Sequence, residues 1–252
     1  MKIESEELGD YSIIKNLKTS EDVRKVHSKA YVMGTSVLAV KFKNGVILAS
    51  DTQLSYGSYA KYKGVSRLEK ITETTLLGSS GEYSNFQELV NTLKIEMTPL
   101  PGEEELFGPR ECFEMVKNHM YSKRSKGEPE FNTHVIAGIE KTPNKNALKY
   151  ENDNTDVFLA VVDHLGNFYH APIVATGIGG HIALPILRGM LENKKDISEQ
   201  EAFEALTIAM RALIYRDTRA SSVVQLAKIE KGNRISISDY KNLDTNWDIG
   251  EM

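Results

Sequence analysis

A single cysteine, Cys112, stands in 252 residues, so no disulfide can form within the chain. That excludes a disulfide-stapled secreted scaffold and fits a reducing cytosol or nucleus. Long hydrophobic runs are missing too. The longest, Val157–Val162, is far short of the roughly 20 apolar residues that cross a bilayer, and no membrane partner is expected. The opening residues Met1-Lys-Ile-Glu-Ser-Glu-Glu lack the basic-then-apolar order of a secretory signal, so entry into the secretory pathway is not expected. A net charge of -4 gives nucleic acid no electrostatic hold as a main partner. The six histidines are scattered with no i, i+4 pair, and metal-ligand spacings and phosphate loops are absent. The stretch Gly177-Ile-Gly-Gly-His181 lacks the last glycine of the dinucleotide fingerprint. No cofactor and no metal are therefore expected.

What is present reads as one large core with polar tails. Hydrophobic residues make up 40% and charged residues 26%, near the globular average, and the length suits one domain of about 200 residues. Residues 1 to about 30 are polar and read as an extension rather than core. From Thr35 two mostly apolar runs, to Phe42 and from Val46 to Asp51, flank Asn44-Gly45, which predicts a hairpin buried on both faces. A third strand is predicted over 75–79. Phe86, Leu89, Val90, Leu93 and Met97 then fall at helical spacing before Pro99 and Pro101. Pro109 can open the next helix, with Phe113, Met115, Val116 and Met120 inward, and its basic end Lys123-Arg-Ser-Lys126 suits a solvated helix C-terminus. Strands are predicted over 133–139, 157–163 and 168–170, with Asp163–Asn167 as a turn. A helix follows over 181–192. Ser198 and Glu201 form a capping box for another, with Phe203, Leu206, Met210, Leu213 and Ile214 inward. A closing hairpin spans 223–237. Helices arriving in pairs between groups of strands predict two packed sheets with a helix pair on each outer face, an α+β, four-layer αββα sandwich.

The chemistry rests on Gly34-Thr35 just before a buried strand. If the chain were cut there, Thr35 would present a hydroxyl nucleophile beside a free amine of pKa about 8, a usable base near neutral pH. This is the logic of N-terminal nucleophile hydrolases. The dipeptide alone is common; the order that follows it is not. Gly45, Asp51, Tyr56-Gly-Ser-Tyr59, Leu77-Gly-Ser-Ser-Gly81 and Tyr215-Arg-Asp217 resemble the proteasome β subunits from about Thr35 to the end. Met120–Lys126, Phe131-Asn-Thr133 and Thr245-Asn-Trp-Asp-Ile249 are similar to a non-catalytic class within that family. The resemblance implies the N-terminal nucleophile hydrolase form of the four-layer sandwich.

Matched to the catalytic pattern of active members, the remaining positions are degenerate. Asp51 and Asp217 are kept, but the lysine position holds Arg67, whose guanidinium stays protonated and cannot shuttle a proton. Ile178 replaces a serine hydroxyl between Gly177 and Gly179, and Ala220 replaces another. Losing parts of a cooperative catalytic unit costs orders of magnitude in rate, so no active residue is expected among Thr35, Asp51, Arg67, Ile178, Asp217 and Ala220. For Asp51 with Arg67 the preferred expectation is a buried ion pair bracing the sheet. The alternatives are an active threonine endopeptidase using Thr35, and a free-standing amidase of the same mechanism.

Three segments are expected: residues 1–34 as an N-terminal propeptide or extension, 35–237 as the domain, and 238–252 as a C-terminal tail. Within the extension, residues 1 to about 25 or 30 read equally as a removable propeptide or a disordered tail. The terminal tail carries the only tryptophan, Trp247, in polar surroundings, which favours burial by a partner, with folding back on its own domain as the alternative. The resemblance implies that Thr245, Asn246, Trp247, Asp248 and Ile249 bind a subunit of the opposite β ring. It further implies neighbours in the same β ring, α-ring subunits and assembly chaperones as partners, membership of a complex that degrades ubiquitinated proteins, and a cytoplasmic and nuclear location.

Overall fold

The structure is a computed structural model, and it describes residues 32–99, 107–140, 156–194, 196–232 and 234–248. Expectations that fall on residues 1–31, on Pro101, on Asn233 and on Ile249 lie outside the described residues.

The first group of strands is β1 (Met33–Gly34), β2 (Val37–Phe42), β3 (Gly45–Asp51), β4 (Leu54–Tyr56), β5 (Tyr59–Tyr62), β6 (Leu68–Thr72) and β7 (Thr75–Glu82). Helices α1 (Tyr83–Glu96) and α2 (Pro109–Ser125) follow, then β8 (Asn132–Ile139), β9 (Val157–Val162), β10 (Phe168–His170) and β11 (Ile173–Ala175). Helices α3 (Gly179–Leu191) and α4 (Glu199–Arg216) precede β12 (Val223–Glu230), β13 (Arg234–Ile237) and β14 (Lys241–Asn242). One sheet runs β10-β9-β8-β7-β1-β4-β5 with β6 on β7; the other runs β11-β2-β3-β12-β13 with β14 on β12. Every pairing is antiparallel.

Strand period explains the layers. In β2 and β3, Val37, Ala39, Val46 and Leu48 face the other sheet and meet its Leu68, Leu76, Val135 and Leu159. Their alternates Leu38, Val40, Ile47 and Ala49 face outward onto Ala183, Leu187, Leu206 and Met210 of α3 and α4. On the other outer side Leu77, Ile136, Phe158 and Ala160 meet Phe86, Leu89, Phe113 and Val116 of α1 and α2. Strands covered on both faces need apolar residues at consecutive positions, which is why the runs read as continuous rather than alternating. Burying each such Leu or Phe contributes roughly 1.5–3 kcal/mol. The result is the expected α+β, four-layer αββα sandwich.

Several local expectations are corrected. The two turn residues of the β2–β3 hairpin are Lys43 and Asn44, with Gly45 already paired opposite Phe42. Gly45 is a glycine because a Cβ there would lie 1.9 Å from the carbonyl oxygen of Ile229 on β12; the demand is close approach, not a left-handed turn. Phe203 is 42% exposed. Ala202, Ala205 and Ala209 complete the inward stripe of α4 with Leu206, Met210 and Leu213, leaving Phe203 beside it. The capping box at its start is present: Ser198 Oγ accepts from the Glu201 amide at 3.2 Å, and Glu201 accepts from the Ser198 amide at 2.9 Å. Strands β4, β5, β6 and β11 have no counterpart in the sequence-based expectation. The ladders also pass both expected domain edges, since β1 precedes Thr35 and β14 lies beyond residue 237.

Candidate functional site

Thr35 sits between β1 and β2, Asp51 ends β3 and Arg67 stands immediately before β6, so three strands bring the three residues together. The Thr35 hydroxyl donates to Asp51 Oδ1 at 3.0 Å. Arg67 Nη2 donates to the same Asp51 Oδ1 in an ion pair, with side chains 2% and 1% exposed. The two terminal nitrogens also bond to backbone: Nη1 donates to the carbonyls of Thr35 (3.0 Å) and Ser79 (3.1 Å), and Nη2 to those of Ser36 (3.2 Å) and Asp51 (3.1 Å), while Nε has no partner among the described residues. Asp51 Oδ2 accepts from the amides of Gln53 (3.1 Å) and Ser221 (3.2 Å). The carboxylate is therefore saturated. A planar, permanently charged fork meeting this many acceptors is a fastener between strands, and it has no lone pair with which to take a proton.

The other expected positions surround this cluster. Ile178 is the N-cap residue of α3 and Asp217 the C-cap residue of α4. Both join Thr35, Gly34, Met33 and Phe131 on the wall of a cavity of about 190 Å³. Ile178 is 41% exposed, so it lines the cavity with a branched hydrocarbon that offers no hydrogen-bonding group. Asp217 Oδ1 accepts from the Arg219 amide at 2.9 Å, while its buried Oδ2 has no partner among the described residues. Ala220 lies in the following turn, its amide donating to the Asp217 carbonyl at 3.0 Å. No cluster of three or more His, Cys, Asp or Glu able to hold a metal occurs among the described residues.

Two positioning residues escaped the sequence. Ser36 Oγ accepts from the Gly179 amide at 2.8 Å, pinning the start of α3 beside the threonine. Thr176 Oγ1 accepts from the Val37 amide at 2.8 Å and donates to the Val37 carbonyl at 3.3 Å. Serine and threonine are common, and neither sits in a pattern that signals these bonds.

Of the tail residues, Asn246 donates its amide to the Tyr215 hydroxyl and Trp247 packs edge-on against the Tyr215 ring at 5.0 Å. The Asp248 amide donates to Asn246 Oδ1 at 3.0 Å, and Thr245 precedes this turn. Trp247 is still 58% exposed in the single chain. Tyr215 thus gives the tail a perch on its own domain and leaves most of the indole uncovered.

Two antiparallel sheets between helix pairs, with a threonine at the head of a central strand, define the class of the N-terminal nucleophile hydrolase fold. The profile of the family described as "Proteasome subunit" matches residues 31–142 and 148–229, and the chain belongs to that family. It is 35% identical over 224 residues to the proteasome subunit beta type-4 of Xenopus laevis, covering 88% of this chain and 86% of the relative. It is 37% identical to a probable proteasome subunit beta type-7 of Encephalitozoon cuniculi, covering 87% and 95%. The proteasome subunit beta type-7 of Saccharomyces cerevisiae is 38% identical, covering 87% and 82%.

Proposed function

We propose that this chain is a non-catalytic structural and assembly subunit of the 20S proteasome core, of the kind that its relatives' names call β type-4 or type-7. One observation carries the reading: the Thr35 hydroxyl points at a carboxylate already saturated by Arg67 and two amides, where catalysis would need a base. Its own nitrogen is no substitute, since Gly34 holds it in a peptide bond and an amide nitrogen takes no proton near neutral pH. Ile178 and Ala220 supply no hydroxyl around it. In this role the subunit fills a place in the β ring, helps to wall a chamber in which other subunits cleave ubiquitinated proteins, and contacts α-ring subunits and β subunits of its own and the opposite ring. Assembly chaperones are further partners, and the cytoplasm and nucleus are the location. Residues 245–249 contribute the contact across the rings, with the uncovered face of Trp247 as its apolar anchor.

The bond from Thr35 to Asp51 favours one other reading, an active threonine endopeptidase using Thr35 after a cut at Gly34. Labelling the purified particle with a covalent inhibitor directed at N-terminal threonines separates the two. No adduct on Thr35 is expected while other β subunits are labelled; an adduct there sinks the silent reading. For the tail, deleting residues 244–252 is expected to slow the joining of half-particles while leaving the fold intact. Unchanged joining kinetics, followed by native mass measurement, would remove its role between rings.

A further inference from the structure

The cavity beside Thr35 carries two opposite charges that the fold itself leaves unanswered. Asp217 closes α4 at its C-cap and is 6% exposed. Its Oδ1 accepts from the Arg219 amide at 2.9 Å, which orders the following turn, but Oδ2 is buried with no partner among the described residues. A buried carboxylate oxygen without a donor costs free energy, and a donor arriving in the cavity recovers it. Arg219, two residues on, is exposed on the same wall, and its guanidinium enters no ion pair among the described residues, not even with Asp217. Bracing of the strands falls to Asp51 and Arg67, so neither charge is used there.

Apolar side chains make up much of the remaining wall. Phe131 and Ile178 are 46% and 41% exposed, uncovered by the chain's own residues, and Met33 joins them. At about 190 Å³ the space lies below the roughly 300–1,000 Å³ of pockets that hold drug-sized molecules. It is too small to enclose a nucleotide and has room for a single amino acid. A carboxylate oxygen lacking a donor, a guanidinium lacking an anion and an apolar wall beside them match the three parts of such a molecule: ammonium, carboxylate and side chain. The guanidinium fork suits a carboxylate in particular, because two parallel charge-assisted bonds fix its orientation as well as its charge.

We propose that this cavity is a binding site for a free α-amino acid with an aliphatic side chain, its ammonium held by Asp217, its carboxylate by Arg219 and its side chain against Phe131 and Ile178. The inference rests on the silent reading of Thr35 and deepens it. Met33 and Gly34 belong to the wall only while the chain runs unbroken into Thr35. With no base beside the threonine hydroxyl, the site holds such a molecule without reacting with it.

Irradiating the purified particle with the diazirine analogue of leucine, followed by peptide mass spectrometry, tests the site inside the assembled complex. Adducts should fall on the peptides that contain Phe131 or Ile178, and excess L-leucine should abolish them. Leucinamide, which lacks the carboxylate, and isocaproic acid, which lacks the ammonium, should each compete about tenfold less well, as the loss of one charge-assisted bond implies. Asp217→Asn keeps an acceptor for the Arg219 amide and removes the charge, and Arg219→Gln alters only an exposed side chain. Each should cut labelling about tenfold, and Arg219→Gln decides the matter if Asp217→Asn does not assemble. No adduct on either peptide, equal competition by all three compounds, or undiminished labelling of Arg219→Gln overturns the proposal. An inhibitor adduct on Thr35 with leucine labelling intact sinks the silent reading and leaves the binding site standing; no inhibitor adduct and no leucine labelling does the reverse.

Discussion

Two buried polar clusters in this chain solve the same problem in opposite ways. Arg67, 1% exposed, meets Asp51 and four backbone carbonyls. His134 on β8, fully buried, meets nothing: neither ring nitrogen has a hydrogen-bond partner among the described residues. Burial pushes its pKa down to about 4, against an upward pull from Glu130 and a further downward one from His119. Glu130 itself is engaged on one oxygen by His119 Nε2 (3.1 Å) and Lys123 Nζ (3.0 Å) from α2, and its other oxygen has no partner among the described residues. Burial of charge is compensated where a counter-ion and several carbonyls meet it, and favours the neutral form at His134, where nothing does. The first arrangement fixes strand positions; the second tolerates a neutral ring as packing.

Breaking the first cluster should have the larger effect. Arg67→Ala leaves Asp51 buried without its counter-charge and strips four carbonyls of a donor, so equilibrium unfolding should report a loss of about 3–5 kcal/mol. The double variant Asp51→Ala/Arg67→Ala should recover part of it, because no unpaired charge remains. If the single variant costs less than the double, Arg67 is not the brace described above.

The second cluster should show itself through pH. An unfolded His134 titrates near 6.5 and the folded one near 4, so between those values the unfolded chain binds a proton that the native chain refuses. Its contribution to stability is complete above pH 6.5 and is lost as pH falls toward 4, about 3 kcal/mol in all. Comparing urea unfolding at pH 7 and pH 4.5 for the parent and His134→Leu measures it. The variant should lose stability less steeply with acid; equal slopes would mean that His134 finds a partner for its proton.

Much of this architecture was legible because long elements carry periodic patterns. The stripe Phe86, Leu89, Val90, Leu93 is buried in α1, and Phe113, Val116 and Met120 are buried in α2. The run Val157–Val162 is a strand buried at every position. Short strands were not legible. The Tyr, Ser and Lys mixture from Leu54 to Tyr62 has no period-2 signal, and β5 has no buried face to write one. Phe203 misled because a single large apolar residue at helical spacing does not say which of two adjacent stripes faces inward; Ala202, Ala205 and Ala209 settled it by fitting against β2 and β3.

At the site the same division holds. Residue chemistry alone determined that Thr35 has no proton acceptor at position 67 and no hydroxyl at 178 or 220, because a guanidinium, a sec-butyl hydrocarbon and a methyl group cannot do that work in any fold. The buried ion pair of Arg67 with Asp51 was expected from the sequence; only tertiary structure decided that Arg67 also bonds four backbone carbonyls, and that Met33 and Gly34 form a strand. Those facts depend on Ser55, Ser79 and Glu82, tens of residues away along the chain, and a two-residue strand carries no pattern of its own. Its conformation is set by the neighbours on either side, which the sequence brings together only once the whole sheet has closed.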